Sequence, residues 1–231
     1  MEHSSFTLKQ IAHLREVEKK RLQKGMLGLR RDLQDLIRCS DPAYDPFDRI
    51  RHDQAKVLWD KGFGRALGFG SFKSYLASIP EIPQDLRADS EHFPILVLVD
   101  GRLDLMVIRH LVDIRIRGEN VVFRPFDPKK VKTGVRFMRC QHGSGHLNQT
   151  IRFYRDSFLE NEVGLDIVEG ISLYVQYPEI VRYRDRYLAN AVSVETPECT
   201  AFLGRVFIKV FIGESFDHVP RPHLGCPSRR V

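Results

Sequence analysis

Hydrophobic positions near the start of the chain recur at Ile11, Leu14, Val17, Leu22, Met26, Leu29, Leu33 and Leu36. The spacing fits one stripe along a helix. Thr7-Leu8-Lys9-Gln10 in front of it matches a capping box, in which hydroxyl and amide side chains satisfy orphan helix donors. The helix is expected to end near Arg38, before Cys39-Ser40-Asp41-Pro42. Such a stripe must be buried, either on the rest of the chain or on the same stripe of a second copy. Leu14 to Leu36 is therefore a candidate homodimer contact. A second helix starts after Asp45-Pro46, a cap followed by proline in the first turn, and runs to about Lys61. Ser71 caps a short helix through Leu76. Ile79-Pro80-Glu81-Ile82-Pro83 excludes helix, because each proline removes an amide donor and restricts the residue before it. Residues 79–92 read as a linker between a helical N-terminal region, 1–78, and a second domain, 93–231.

From Phe93 the pattern changes. Ile95 to Val99 is a continuous apolar run of the kind a buried strand shows, and Asp100-Gly101 ends it. A helix follows from about Asp104 to Val112. Short strands are expected at Ile114–Arg117 and Val121–Phe123, a turn at Asp127–Lys130, and a strand at Val135–Met138. Glu162 to Tyr177 reads as one helix stopped by Pro178, and strands return at Ala191–Val194 and Ala201–Ile212. The tail from Pro220 reads as irregular. Helices and strands mix without a regular βαβ repeat, which predicts an α+β fold, a helical N-terminal region followed by a mixed domain.

Composition adds a charge map. The 231 residues carry 36 Lys and Arg against 30 Asp and Glu, a net charge of +6. With 42% hydrophobic and 29% charged residues, the chain is not collagen, mostly disordered or membrane-embedded. The excess is concentrated. Between Arg115 and Arg155 ten basic residues face two acidic ones, Glu119 and Asp127. A concentrated positive field attracts phosphates and acidic surfaces. Arg136-Phe137-Met138-Arg139, Arg152-Phe153-Tyr154-Arg155 and Arg182-Tyr183-Arg184-Asp185-Arg186-Tyr187 set guanidinium groups beside rings, a mixture that single-stranded nucleic acid uses. Lys129, Lys130, Arg136, Arg139, Arg152 and Arg155 are the candidate phosphate contacts. They point to a non-catalytic binding module for an anionic partner, nucleic acid first. The competing reading is a solvated face whose arginines pair with local carboxylates.

Two other constellations carry candidate chemistry. Cys140-Gln141-His142-Gly143-Ser144-Gly145-His146 offers three zinc-type ligands, Cys140, His142 and His146, with Cys199, His223 or Cys226 as a fourth. It lacks the two paired knuckles of a structural zinc site, and a polar loop after a strand, with Cys140 packing inward, is the stronger reading. No other cofactor is expected. Asp100 and Asp104 follow a buried strand and suit a divalent ion, which would make the protein a metal-dependent hydrolase of phosphate esters. The same residues suit a turn and a helix cap. Whether the protein is an enzyme stays open at this point. Gly62-Phe63-Gly64-Arg65-Ala66-Leu67-Gly68 has the wrong glycine spacing for a dinucleotide fingerprint and follows a helix, so these are turn glycines. No signal-like run opens the chain, and no apolar run approaches the roughly 20 residues that span a bilayer. With four cysteines, this suggests a cytoplasmic protein with reduced or metal-bound thiols and no membrane partner.

Several short motifs occur together: Ile79-Pro80-Glu81-Ile82-Pro83, Phe93-Pro94-Ile95-Leu96-Val97-Leu98-Val99-Asp100, Glu162-Val163-Gly164-Leu165 with Glu169-Gly170, and Leu224-Gly225-Cys226-Pro227-Ser228-Arg229-Arg230. In these, residues 71 to 231 resemble an uncharacterised family of proteins common in candidate-phyla bacteria. The resemblance implies no activity and no catalytic residues. It implies that Leu224 to Arg230 is a structured part of the domain.

Overall fold

A computed structural model describes residues 45–88, 91–117, 122–143, 149–181, 185–206, 209–220 and 224–231. The N-terminal stripe, with its dimer reading, lies outside these residues. The chain divides into two compact units, Met1–Pro46 and Phe47–Val231. The larger one carries the features below.

It opens with helices α1 (Pro46–Asp60), α2 (Phe63–Ala66), α3 (Phe72–Ala77) and α4 (Gln84–Arg87). Ser71 caps α3 as its sequence predicts, accepting from the Ser74 amide at 3.2 Å. The linker expected over 79–92 is a correction. Ile79 and Ile82 are 2% exposed and join the same core as Leu58, Tyr75 and Leu98. Arg51 ties that segment to α1, donating to the carbonyls of Leu76, Ile79 and Pro80. The prolines do exclude helix at 79–83, but apolar burial, not flexibility, sets the path there.

Two sheets follow. Strands β1 (Ile95–Gly101), β4 (Gly134–Gln141), β5 (Glu162–Gly164) and β10 (Ser228–Arg230) form an antiparallel sheet in the order β1-β4-β10-β5. The second sheet runs β2 (Arg115–Ile116), β8 (Lys209–Phe216), β7 (Cys199–Val206), β6 (Asp185–Ser193), β3 (Phe123–Pro125), and β9 (Leu224–Gly225) pairs with β6. Its β2–β8 and β6–β9 pairs are parallel and the others antiparallel. Helices α5 (Leu105–Leu111), α6 (Ile151–Ser157) and α7 (Ile167–Gln176) complete the fold, which is α+β.

Helix α7 packs on β1, β6 and β7 and so links the two sheets. It begins later than its apolar spacing suggests. Asp166 caps it in a reciprocal box with Glu169, while Glu162–Gly164 pairs with β10. Gly164 lies against Ala189, where an added Cβ would sit 2.4 Å from the Ala189 Cβ. The outer edge of β1 is closed by side chains. Gln176 accepts from the Leu98 amide at 3.2 Å and donates to its carbonyl at 2.6 Å. Gln54 and the Tyr177 hydroxyl both donate to the Leu96 carbonyl, at 2.6 and 3.0 Å. An apolar edge strand is thereby denied to other chains.

Candidate functional site

The last strand organises the charged centre of the molecule. Successive side chains of a strand point to opposite faces. Ser228 turns to Gln141 and Glu162, and Arg229 turns to Glu169. Arg229 is 1% exposed. Its Nε donates to Glu169 Oε1 at 2.5 Å and its Nη2 to the Lys130 carbonyl at 2.5 Å. Arg136 Nη2 donates to the same Oε1 at 2.6 Å. The other Glu169 oxygen accepts from the Asp166 amide at 3.1 Å. One buried carboxylate therefore serves two guanidinium groups, and positive charge is left over. Arg136 Nε is buried with no acceptor among the described residues. Partial burial first, then the charges of Arg229 and Arg136, pull the Lys132 pKa below its ordinary value.

These groups meet in a cleft of about 260 Å3 beside β4 and β10. Lys132, Arg136, Arg139, Arg229 and Arg230 line it, with Val231 also in the wall. Asp85 is the one acidic side chain in that lining among the described residues. Arg139 is fixed by donating to the Leu86 carbonyl at 2.7 Å and to the Phe93 and Pro94 carbonyls at 3.5 and 3.4 Å. No carboxylate is bonded to Lys132 or Arg230 among the described residues.

The six cations singled out from the sequence do not gather on one exposed face, and this corrects that expectation. Arg136 and Arg139 enter the cleft. Lys130 contributes its carbonyl to Arg229. Lys129 is exposed on a short 3-10 turn capped by Asp127. Arg152 and Arg155 lie on α6 and are held by Asp217 at 3.1 and 3.3 Å. Arg155 also donates to the Ala189 carbonyl and Thr200 Oγ1 and packs 3.9 Å from the Phe126 ring centroid. Of the rings beside these arginines, Phe137 and Tyr154 are buried while Phe153 is 46% exposed. Residues 182–184 lie outside the described residues. Arg229 and Arg230, which complete the cleft, stand far from the basic window in the sequence. Their signals were the charge that the Arg229-Arg230 pair adds and the structured ending implied by the motif Leu224 to Arg230.

Cys140 and His142 are separated by burial. Cys140 is fully buried, and desolvation, with Glu169 nearby, pushes its thiol pKa well up, so that a thiol and not a thiolate stands there. His142 is exposed and lines a second cavity of about 410 Å3 with His92, Glu162 and Cys226. Glu162 in that cavity accepts from Ser228 Oγ and from the Leu159 amide. His146 lies outside the described residues, as does His223. No three His, Cys, Asp or Glu side chains cluster to hold a metal ion among the described residues.

Asp100 and Asp104 have structural roles. Asp100 is fully buried and accepts from Tyr75 Oη at 2.9 Å and from Arg102 Nε and Nη2 at 2.8 and 2.7 Å. Burial first and then Asp100 hold the Tyr75 hydroxyl far above its ordinary pKa, so it stays a donor. Asp104 Oδ1 caps α5 through the Met106 amide at 2.7 Å. Neither lines the basic cleft.

Asp166 is the titratable group with the most usable shift. Burial, and then the neighbouring Glu169 charge, push its carboxyl up to about 6. A carboxyl with a raised folded pKa binds its proton more tightly when folded. Its contribution to stability is full below about pH 4, near its unfolded pKa, and is lost as pH rises through about 6. Asp166→Asn keeps an acceptor for the Glu169 amide and removes that loss. Relative to wild type, the variant is expected to gain about 1–3 kcal/mol between pH 4 and pH 7. Urea unfolding of both proteins at the two pH values reads this, and a pH-independent difference would refute it.

Comparison with protein-family models, curated proteins and solved structures finds no match to this chain. No helix among the described residues is long and apolar enough to cross a membrane.

Proposed function

We propose that the protein is a binding module for a compact anion, a phosphate group or a similar oxyanion, held in the cleft of Lys132, Arg136, Arg139, Arg229 and Arg230. The reading rests on one observation: five cationic side chains around one cleft, opposed by Asp85 in its wall and Glu169 beneath it. Guanidinium groups suit oxyanions because their donors form a planar fork. Three of these, Arg136, Arg139 and Arg229, are preset by Glu169 and by the Lys130 and Leu86 carbonyls, so little side-chain entropy is lost on binding. At about 260 Å3 the cleft suits one phosphate group better than a length of backbone.

Calorimetric titration with inorganic phosphate and pyrophosphate at low salt tests it. Saturable binding is expected, weakened about tenfold in Lys132→Ala, in keeping with the loss of one charge-assisted contact. Lys129→Ala, outside the cleft, should bind as wild type. No saturable heat with either anion, or equal losses in the two variants, would overturn the proposal. A 5′-phosphorylated oligonucleotide tests nucleic acid as the source of the phosphate. Its retention should fall steeply with salt, through counterion release, and be lost in Lys132→Ala.

A further inference from the structure

Pro83, Asp85 and Leu86, at the start of α4, line one side of the basic cleft, and the Leu86 carbonyl fastens them to β4 by accepting from Arg139 Nε at 2.7 Å. Asp85 is exposed, so a ligand in the cleft can reach its carboxylate. It has no hydrogen bond or ion pair among the described residues. Its charge is nevertheless felt inside the cleft. Burial first, then Arg229 and Arg136, lower the Lys132 pKa, while Glu169 and then Asp85 act in the opposite direction. Since such an influence fades with distance, the Asp85 carboxylate stands near the Lys132 ammonium. The two acids of the cleft therefore differ. Glu169 is fully buried and committed to two guanidinium groups, whereas Asp85 is open and committed to none. The β4 and β10 side offers a ligand cations, and the α4 side offers one free carboxylate.

We infer that the cleft binds an aminoalkyl phosphate monoester, with its phosphate on Lys132, Arg136 and Arg230 and its ammonium on Asp85, an assignment that rests on the anion-binding reading above and narrows it. A terminal phosphate has three free oxygens and about two negative charges, which suits several cationic donors at once. A simple oxyanion leaves Asp85 as a like charge in the wall. An ammonium on the same molecule turns that repulsion into an ion pair. At roughly 30 Å3 per water molecule in the liquid, about 260 Å3 takes a phosphate and a chain of two or three carbons.

The probes are phosphoethanolamine and ethyl phosphate, the same phosphate with and without the ammonium. Each is titrated calorimetrically into the full chain at low salt and about pH 7.5, above the second phosphate pKa of about 6. Net charge alone favours ethyl phosphate, the more negative of the two, in a cationic cleft. Phosphoethanolamine is expected instead to bind about fivefold more tightly, the gain open to one exposed ion pair. In Asp85→Asn, a surface change expected to leave the fold intact, that preference should vanish or reverse. Ethyl phosphate, relieved of a like charge, should bind the variant at least as tightly as wild type. Glycerophosphoethanolamine carries the diester of a lipid headgroup, with one phosphate charge fewer and a longer body, and should bind at least about tenfold more weakly than phosphoethanolamine. Binding of inorganic phosphate without a preference for phosphoethanolamine, or a preference that survives in Asp85→Asn, would overturn this inference and leave the anion site standing. Equal or tighter binding of the diester would overturn the assignment to a monoester. Failure of all four compounds to bind would overturn the anion site and this inference together.

Discussion

Replacing Glu169 with alanine is expected to lower the unfolding free energy by about 3–5 kcal/mol, the range measured when one partner of a buried ion pair is removed. Glu169 is fully buried and receives hydrogen bonds from both Arg136 and Arg229 on a single oxygen. Without it, Arg229 would stand 1% exposed with the Lys130 and Arg230 carbonyls as its hydrogen-bond partners among the described residues. Lys132, already held below its ordinary pKa by burial and these charges, would face a stronger field. The same substitution removes the reciprocal bond from the Asp166 amide that closes the cap of α7. Glu169→Gln retains the shape and one acceptor and should lose less. Glu169→Leu with Arg229→Met replaces the pair by apolar volume, and should cost less than Glu169→Ala alone, because an uncompensated buried charge is worse than none. Urea or guanidinium unfolding of the four proteins reads the series. If the double variant falls below the single one, the charge account of this cluster is wrong. A second readout separates structure from ligand binding. Glu169 competes with a bound anion for the same guanidinium groups, so folded Glu169→Gln should bind phosphate more tightly than wild type.

How much of this was legible in the sequence depends on the range of the interaction. Local signals were read correctly. Ser71, Asp104 and the run Ile95 to Val99 gave their caps and strand, since each depends on residues within one turn or one strand. The helix read over Glu162 to Tyr177 was half right. Its apolar spacing is genuine from Ile167 onward, but Glu162–Gly164 is drawn into a sheet by a strand more than sixty residues away. The linker at 79–92 failed because proline content reports backbone conformation and says nothing of burial. The charge window failed in a related way. A linear count adds Arg152 and Arg155 to Arg136 and Arg139, yet Asp217, distant in sequence, neutralises the first pair. It also leaves out Arg229 and Arg230, which the β10–β4 pairing carries to the cleft. Spacing along the chain predicts contacts along one element, and the candidate site is built from contacts between elements.

Gly143→Ala is expected to cost about 2–4 kcal/mol, combining left-handed backbone strain with overpacking against a backbone that cannot move aside. Gly143 has φ +76°, and a Cβ there would sit 2.5 Å from the Pro227 nitrogen and 2.6 Å from the Cys226 carbonyl carbon and nitrogen. Gly225 faces it from the other side, where an added Cβ would meet Gly143 O. The two segments therefore pack backbone against backbone. Gln141 holds them there, with Oε1 accepting from the Gly143 amide at 2.5 Å and Nε2 donating to the Cys226 carbonyl and Ser228 Oγ at 3.0 and 2.9 Å. Gly134 supplies the control. Its φ is +79°, with nothing within 4 Å of an added Cβ, so Gly134→Ala isolates the conformational term at about 1–2 kcal/mol. The two variants differ in the close approach alone. Equal losses in thermal and denaturant unfolding would mean that the loop does not need glycine for packing. A larger loss in Gly143→Ala should come with weaker phosphate binding in the protein that remains folded. The displaced backbone leads directly into Ser228 and Arg229, whose guanidinium bonds Glu169 and lines the cleft.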